Sequence, residues 1–185
     1  MSNESFDVNL TDVPLINQLT NMSCWAASAA MVVGWRDRLC IDPAAIAAGT
    51  GDWSAYSNGL APADIPTLAN AWGLTQEPPQ CYTIDGLRDL VQSKGPLWVG
   101  AAVPGLHAIV VTGVYSDGSV DNTFVRINDP WDRDPGTPGQ PGAYLNTHNS
   151  GSQYVLTLQQ FAQEYEAAAT YPNVSVQILH AEGRL

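Results

Sequence analysis

Small and apolar residues run almost unbroken from Cys24 to Trp35 in "CWAASAAMVVGW", before the charged "RDR" at 36–38. Ala26, Ala29, Ala30 and Val33, with Met31 and Trp35, cover a wide face, which predicts a buried central helix that leaves the interior at Arg36. Ser23 stands at the expected N-cap. "DPAAIAAGTG" predicts a short helix with Asp42 as N-cap and Pro43 at its first position, stopped by Gly49 and Gly51. "PADIPTLANAWG" predicts another ending at Gly73, and "TIDGLRDLVQSKG" a third from Thr83 to Gly95. Residues 1–17 read as an extended lead-in, with 1–12 expected to be flexible.

After Pro96 the pattern changes. "LWVGAAV", "LHAIVVTGVY" and "NTFVRIND" are rich in β-branched and aromatic residues, and "SDGS" between the last two is a hairpin signal. A strand "QYVLTL" follows, then a helix over "TLQQFAQEYEAAA" opened by a Thr157–Gln160 capping box, then a last strand "SVQILHA". Helices first and antiparallel strands second predict an α+β fold of two layers, with the central helix packed on the sheet. With no repeat and no low-complexity linker, 185 residues are expected to form a single domain over 1–185.

Charge narrows the partners. Seven Lys and Arg against eighteen Asp and Glu give a net charge of -11. Such a chain repels phosphate backbones and anionic membrane surfaces, so neither nucleic acid nor membrane is expected as a partner. "MSNESFDVNL" has no basic start and no apolar run, so no Sec signal is expected, and no stretch is long enough to span a bilayer. Three cysteines, Cys24, Cys40 and Cys81, fit free thiols in a reducing compartment better than a disulfide framework, with a Cys40–Cys81 bridge as the minor alternative.

One of these thiols is placed for chemistry. Cys24 falls at the N-terminal end of the central helix, where unpaired N–H groups and the helix dipole favour a thiolate. The commoner fate of cysteine is that of a small buried apolar residue, the default for Cys40 and Cys81. Gln18, six positions upstream, can offer its amide N–H beside the Cys24 backbone N–H to an oxyanion; its bland alternative is a solvated loop residue. Among three histidines, His107 opens the most apolar strand, whereas His148 lies in a Gly/Asn-rich loop and His180 near the C-terminus. A histidine base needs an acceptor on its other ring nitrogen. Asp129 ends the hairpin-paired strand and shares a face with Val125 and Ile127, while Asn128 shares the other face with Arg126. Asp129 can also be the turn residue of its Asp-Pro corner, and Asn128 is the competing orienter.

The order Gln18, Cys24, His107, Asp129, with "SCWA" at 23–26 and Trp131 two positions after the acid, resembles the papain-like cysteine protease superfamily. Papain-type enzymes carry Cys-Gly-Ser/Ala-Cys-Trp/Tyr with His and Asn roughly 130–150 residues downstream. Here "NMSCW", the shorter spacing and Asp129 in place of Asn look like compact bacterial relatives: the avirulence-protein cysteine proteases of plant pathogens and, more distantly, the double-glycine peptidase domains. The latter usually have Gly after the cysteine, where this chain has Trp25.

The resemblance implies Cys24 as nucleophile, His107 as general base and acid, Asp129 as orienter, Gln18 as oxyanion donor and Trp131 as a shield over the His107–Asp129 bond. It implies peptide-bond cleavage through an acyl-enzyme with no cofactor and no metal, on a protein or peptide substrate. It also implies a bacterial effector or toxin, cytoplasmic or exported by a specialised secretion system, that meets an immunity or inhibitor protein. The same residues also serve an amidase, deamidase or transglutaminase, and an inactive relative would be a binding module. Asp129, Asp132 and Asp134 hint at calcium but lack the EF-hand ligand pattern, so a solvated rim is expected. Trp53, Tyr56, Trp72 and Trp98 are read as core or cleft aromatics, with none singled out as a specificity residue.

Overall fold

The computed structural model describes residues 4–103 and 105–181. Its elements run β1 (Phe6–Asn9), α1 (Cys24–Asp37), α2 (Pro43–Thr50), α3 (Ala55–Asn58), a 3₁₀ turn (Pro62–Asp64), α4 (Ile65–Trp72), β2 (Leu74–Glu77), α5 (Ile84–Lys94), β3 (Leu97–Ala102), β4 (Leu106–Ser116), β5 (Thr123–Asp129), β6 (Ser152–Thr157), α6 (Leu158–Ala169) and β7 (Ile178–Ala181). The fold is α+β, and the described strands form one seven-stranded antiparallel sheet ordered β2-β7-β3-β4-β5-β6, with β1 also paired to β4.

The helix boundaries follow their capping chemistry. Asp42 accepts the Ala44 N–H and Thr83 the Gly86 N–H, and the Thr157–Gln160 capping box closes in both directions. Ser23 departs from expectation. It occupies the N-cap position of α1 but gives no side-chain cap, because its hydroxyl is engaged with the backbone N–H and carbonyl of Thr20.

The central helix packs on the sheet as expected and is buried on all sides. Ala26, Ala29 and Ala30 are fully buried, and Ser28 donates its hydroxyl to the Ala108 carbonyl of β4 at 2.9 Å. A larger side chain at any of these buried alanines would overfill the core around α1 and cost about 1–3 kcal/mol. The expectation of two layers is corrected. Helices α1, α2 and α4 share one apolar core with residues such as Trp98, Ala108 and Val110. Leu87 and Val91 of α5 and Phe161 and Tyr165 of α6 share another with Val99, Ile109, Val111 and Ile127 on the opposite face. β4 therefore has both faces covered and is buried along most of its length, which is why it reads as a continuous apolar run.

The lead-in is corrected as well. Residues 6–9, expected within a flexible stretch over 1–12, pair with Gly113–Ser116 of β4; residues 1–3 lie outside the described residues. Phe6 and Val8 turn inward, and Arg126 grips Asp7 (2.6 and 3.1 Å) and the Val8 carbonyl (3.1 Å). At Val111–Gly113 the β4 register slips, and a Cβ on Gly113 would collide with the Val8 carbonyl, so only glycine admits β1 this closely. Strand β2 and helix α3, each four residues long, were not foreseen, and β7 begins at Ile178 rather than Ser175.

Candidate active site

The site forms where the N-terminal end of α1 meets the start of β4 and the end of β5. Two indoles fix the helix end. Trp98 of β3 donates its Nε1–H to the Trp25 carbonyl at 3.1 Å, and Trp25 donates its own to the Ala55 carbonyl at 3.1 Å. Cys24 is thereby held half-buried on the wall of a cleft of about 630 Å³ that His107 and Trp131 also line. The register of β4 against β5 pairs Val110 with Asn128, so the next pair sets Asp129 opposite Ile109. His107 is then a diagonal neighbour of Asp129 on the same face, within reach of a long side chain.

His107 and Asp129 meet through Nε2 and Oδ1 at 2.7 Å, with the two side chains 4% and 0% exposed. That bond leaves Nδ1 for the thiol. Burial pushes the Cys24 thiol up, but the facing His107 imidazolium, its hydrogen bond and a backbone bond from Ala108 outweigh it and hold the thiol below its ordinary value. Burial pulls His107 down, yet the charges of Asp129 and Cys24 raise it to about 10. Asp129 would rise on burial, but the His107 charge and its hydrogen bonds keep it low. The three groups support a thiolate–imidazolium pair with a carboxylate behind it.

Asp129, and not Asn128, faces the histidine. Asn128 accepts Gln153 Nε2–H at 2.9 Å and lines a separate cleft of about 370 Å³ with Asn9, Leu10 and Arg126. Trp131 sits edge-on to His107 with ring centroids 6.0 Å apart, and its indole N–H is fixed on the Leu145 carbonyl at 2.6 Å. Gln18 is fully buried; its backbone N–H bonds the Pro130 carbonyl at 3.0 Å, which ties it to the Asp129 corner. Its Nε2 donates to the Thr20 carbonyl at 2.7 Å, which leaves one amide N–H uncommitted, and Oε1 is buried without a partner.

Two tyrosines that no motif marks complete the surroundings of Asp129. Tyr144 and Tyr154 both donate to Asp129 Oδ2, at 2.8 and 3.0 Å. Tyr154 was within reach of the β5–β6 register, which pairs Ile127 with Tyr154 and so puts the ring diagonal to Asp129; Tyr144 lies in a loop with no periodic signal. Asp132, expected on a solvated rim, is instead buried and takes the N–H groups of Asn149, Ser150 and Gly151 and the Thr147 hydroxyl. Burial alone would raise its carboxyl, but these donors hold it at about 2. It therefore pins the loop over residues 147–151, where His148 stacks edge-on against Trp131 at 4.8 Å and bonds Asn21 at 2.7 Å.

Among the described residues no group of His, Cys, Asp or Glu is arranged to hold a metal ion, and no helix is long and apolar enough to cross a membrane. Cys40 and Cys81 are exposed free thiols, so the alternative bridge between them does not form. Of the aromatics weighed above, Trp98 lines the cleft, Trp72 donates to the Ile46 carbonyl, and the exposed Trp53 stacks on Tyr56.

No curated protein matches the chain significantly. The family model described as papain-like cysteine protease AvrRpt2 matches residues 7–166 of the 185, a span that takes in Gln18, Cys24, His107 and Asp129. The chain belongs to the papain-like cysteine protease AvrRpt2 family.

Proposed function

We propose that this protein cleaves peptide bonds through an acyl-enzyme on Cys24. The His107–Asp129 bond of 2.7 Å beside a thiol held below its ordinary value carries the reading. Cys24 attacks the scissile carbonyl as thiolate, and His107 gives its proton to the leaving amine, then takes one from the water that releases the acyl group. Asp129 orients the imidazole and stabilises its charge. The free amide N–H of Gln18 and the N-terminal N–H groups of α1 receive the oxyanion. Trp131 covers the His107–Asp129 bond against water. No cofactor and no metal takes part.

The cleft beside Cys24 is walled by Leu60, Ile65, Trp98, Val103, Leu106 and Val176. A wall of this kind favours a substrate whose residue next to the scissile bond is large and uncharged, since a charge there would lose its water without a partner. We further read the chain, from the resemblance of its motifs alone, as a bacterial effector or toxin delivered by a specialised secretion system, with an immunity or inhibitor protein as its opponent. We place the whole chain in a single peptidase domain.

The test is alkylation of Cys24 by iodoacetamide, or by an epoxysuccinyl probe, from about pH 4 to pH 9, read by peptide mapping. Wild type labels Cys24 well below the pH at which Cys40 and Cys81 react, and His107→Ala abolishes that advantage. Equal, alkaline-only labelling of the three thiols would sink the proposal. Incubation with a proteome then separates the chemistry: new N-termini mean hydrolysis of peptide bonds, whereas glutamine deamidation or crosslinks mean another acyl transfer.

A further inference from the structure

Asp129 has more donors than orienting one histidine requires. Its Oδ1 accepts His107 Nε2–H at 2.7 Å and the Trp131 backbone N–H at 2.9 Å, while Oδ2 accepts the Tyr144 and Tyr154 hydroxyls at 2.8 and 3.0 Å. The carboxylate is wholly buried, so these donors replace all of its hydration. The two phenols come from separate parts of the chain, one from the loop after β5 and one from β6, and converge on a single oxygen. The guanidinium of Arg133 lies between their rings, 4.2 and 4.3 Å from the two centroids. Its Nε also bonds the Gly142 carbonyl at 2.9 Å, fixing the segment that carries Tyr144.

We propose that Tyr144 and Tyr154, clamped by Arg133, are positioning residues that keep Asp129 ionised and fixed, so that the proton of the array stays on His107. This rests on the reading of Cys24 as nucleophile. A buried carboxylate beside an imidazolium competes for its proton, and the better-stabilised charge decides the outcome. Two hydroxyl donors on Oδ2 favour the carboxylate. The cation over both ring faces draws electron density from the phenols and strengthens them as donors. Burial and the nearby Asp129 charge push both phenols above their ordinary range, so they remain donors at any working pH.

The charged and titratable groups around Asp129 are His107 on β4, Cys24 on α1, Tyr154 on β6, Tyr144 and Arg133 on the loop, and Glu164 on α6. Glu164 is raised by burial to about 7 and titrates in the range of interest, so the test must separate it.

The experiment measures the pH profile of Cys24 alkylation in Tyr144→Phe, Tyr154→Phe and the double variant, which keep both rings over Arg133. The double variant moves the acid limb up by about one pH unit, a loss of about tenfold on that limb, with the alkaline plateau unchanged. Each single variant moves it the same way by less, and carries the test if the double does not fold. Tyr115→Phe, at the far end of β4, leaves the profile alone. The shift persists in a Glu164→Gln background; if it vanishes there, the limb belongs to Glu164 and the proposal falls. Limbs that superimpose on wild type, or a loss equal at every pH as from a merely loosened fold, also overturn it. A wild-type protein without His107-dependent reactivity fails differently, since it removes the peptidase reading itself.

Discussion

Replacing Asp129 by asparagine isolates its charge, because the surrounding hydrogen bonds can be retained. The amide oxygen can take the place of Oδ1, accepting from His107 Nε2–H and the Trp131 N–H, while the amide N–H₂ meets the Tyr144 and Tyr154 hydroxyls, which can rotate to accept. Only the charge is lost. Two unit charges about 4 Å apart at an effective dielectric of about 20 interact by about 4 kcal/mol, which corresponds to about three pH units.

His107 stands at about 10 in the native site, above its ordinary 6.5, so its protonated form contributes stability that is complete below 6.5 and is lost as pH rises through about 10. In Asp129→Asn that loss moves down to about pH 7. The assay is a ¹⁵N-imidazole NMR titration of His107 in wild type and variant, with Cys24 alkylation in parallel. At about pH 8.5 wild type keeps its imidazolium and the variant has mostly lost it, with catalytic turnover down by about a hundredfold or more. A His107 titration that stays within half a unit of wild type would falsify the claim that the Asp129 charge raises it.

Other outcomes are expected nearby. Gln18→Ala lowers kcat by about 10²–10³-fold with KM and Cys24 alkylation little changed; unchanged kcat in steady-state kinetics reduces Gln18 to its bond with Thr20. Asp132→Ala frees the N–H groups of Asn149, Ser150 and Gly151, speeds their hydrogen exchange and costs about 2–3 kcal/mol in urea unfolding; retained protection would mean the loop holds itself. Glu164 is raised to about 7, so its contribution to stability is complete below its ordinary 4.5 and is lost as pH rises through about 7. The wild-type melting temperature should therefore fall between about pH 5 and pH 8 more steeply than that of Glu164→Gln, and parallel curves would refute the assignment.

What could be read along the chain was local. The α1 run, the capping box at Thr157–Gln160 and the Asp42 and Thr83 caps are set by neighbours a few residues apart, so the sequence alone determined them. Alternation in "FVRIND" separated Asp129 from Asn128 because side chains on a strand switch faces at every residue. β1 and β2 gave no such signal, since four residues show no dependable period, and their pairing partners lie about a hundred residues away. The second helical layer was hidden for a related reason: a run apolar on both faces, such as β4, says that it is covered but not by which helices. The Tyr144–Tyr154–Arg133 cluster on Asp129 was the least visible part of the site. A loop tyrosine carries no mark of the carboxylate it will meet, and only the closing of the sheet and the loop after β5 brought those donors to one buried oxygen.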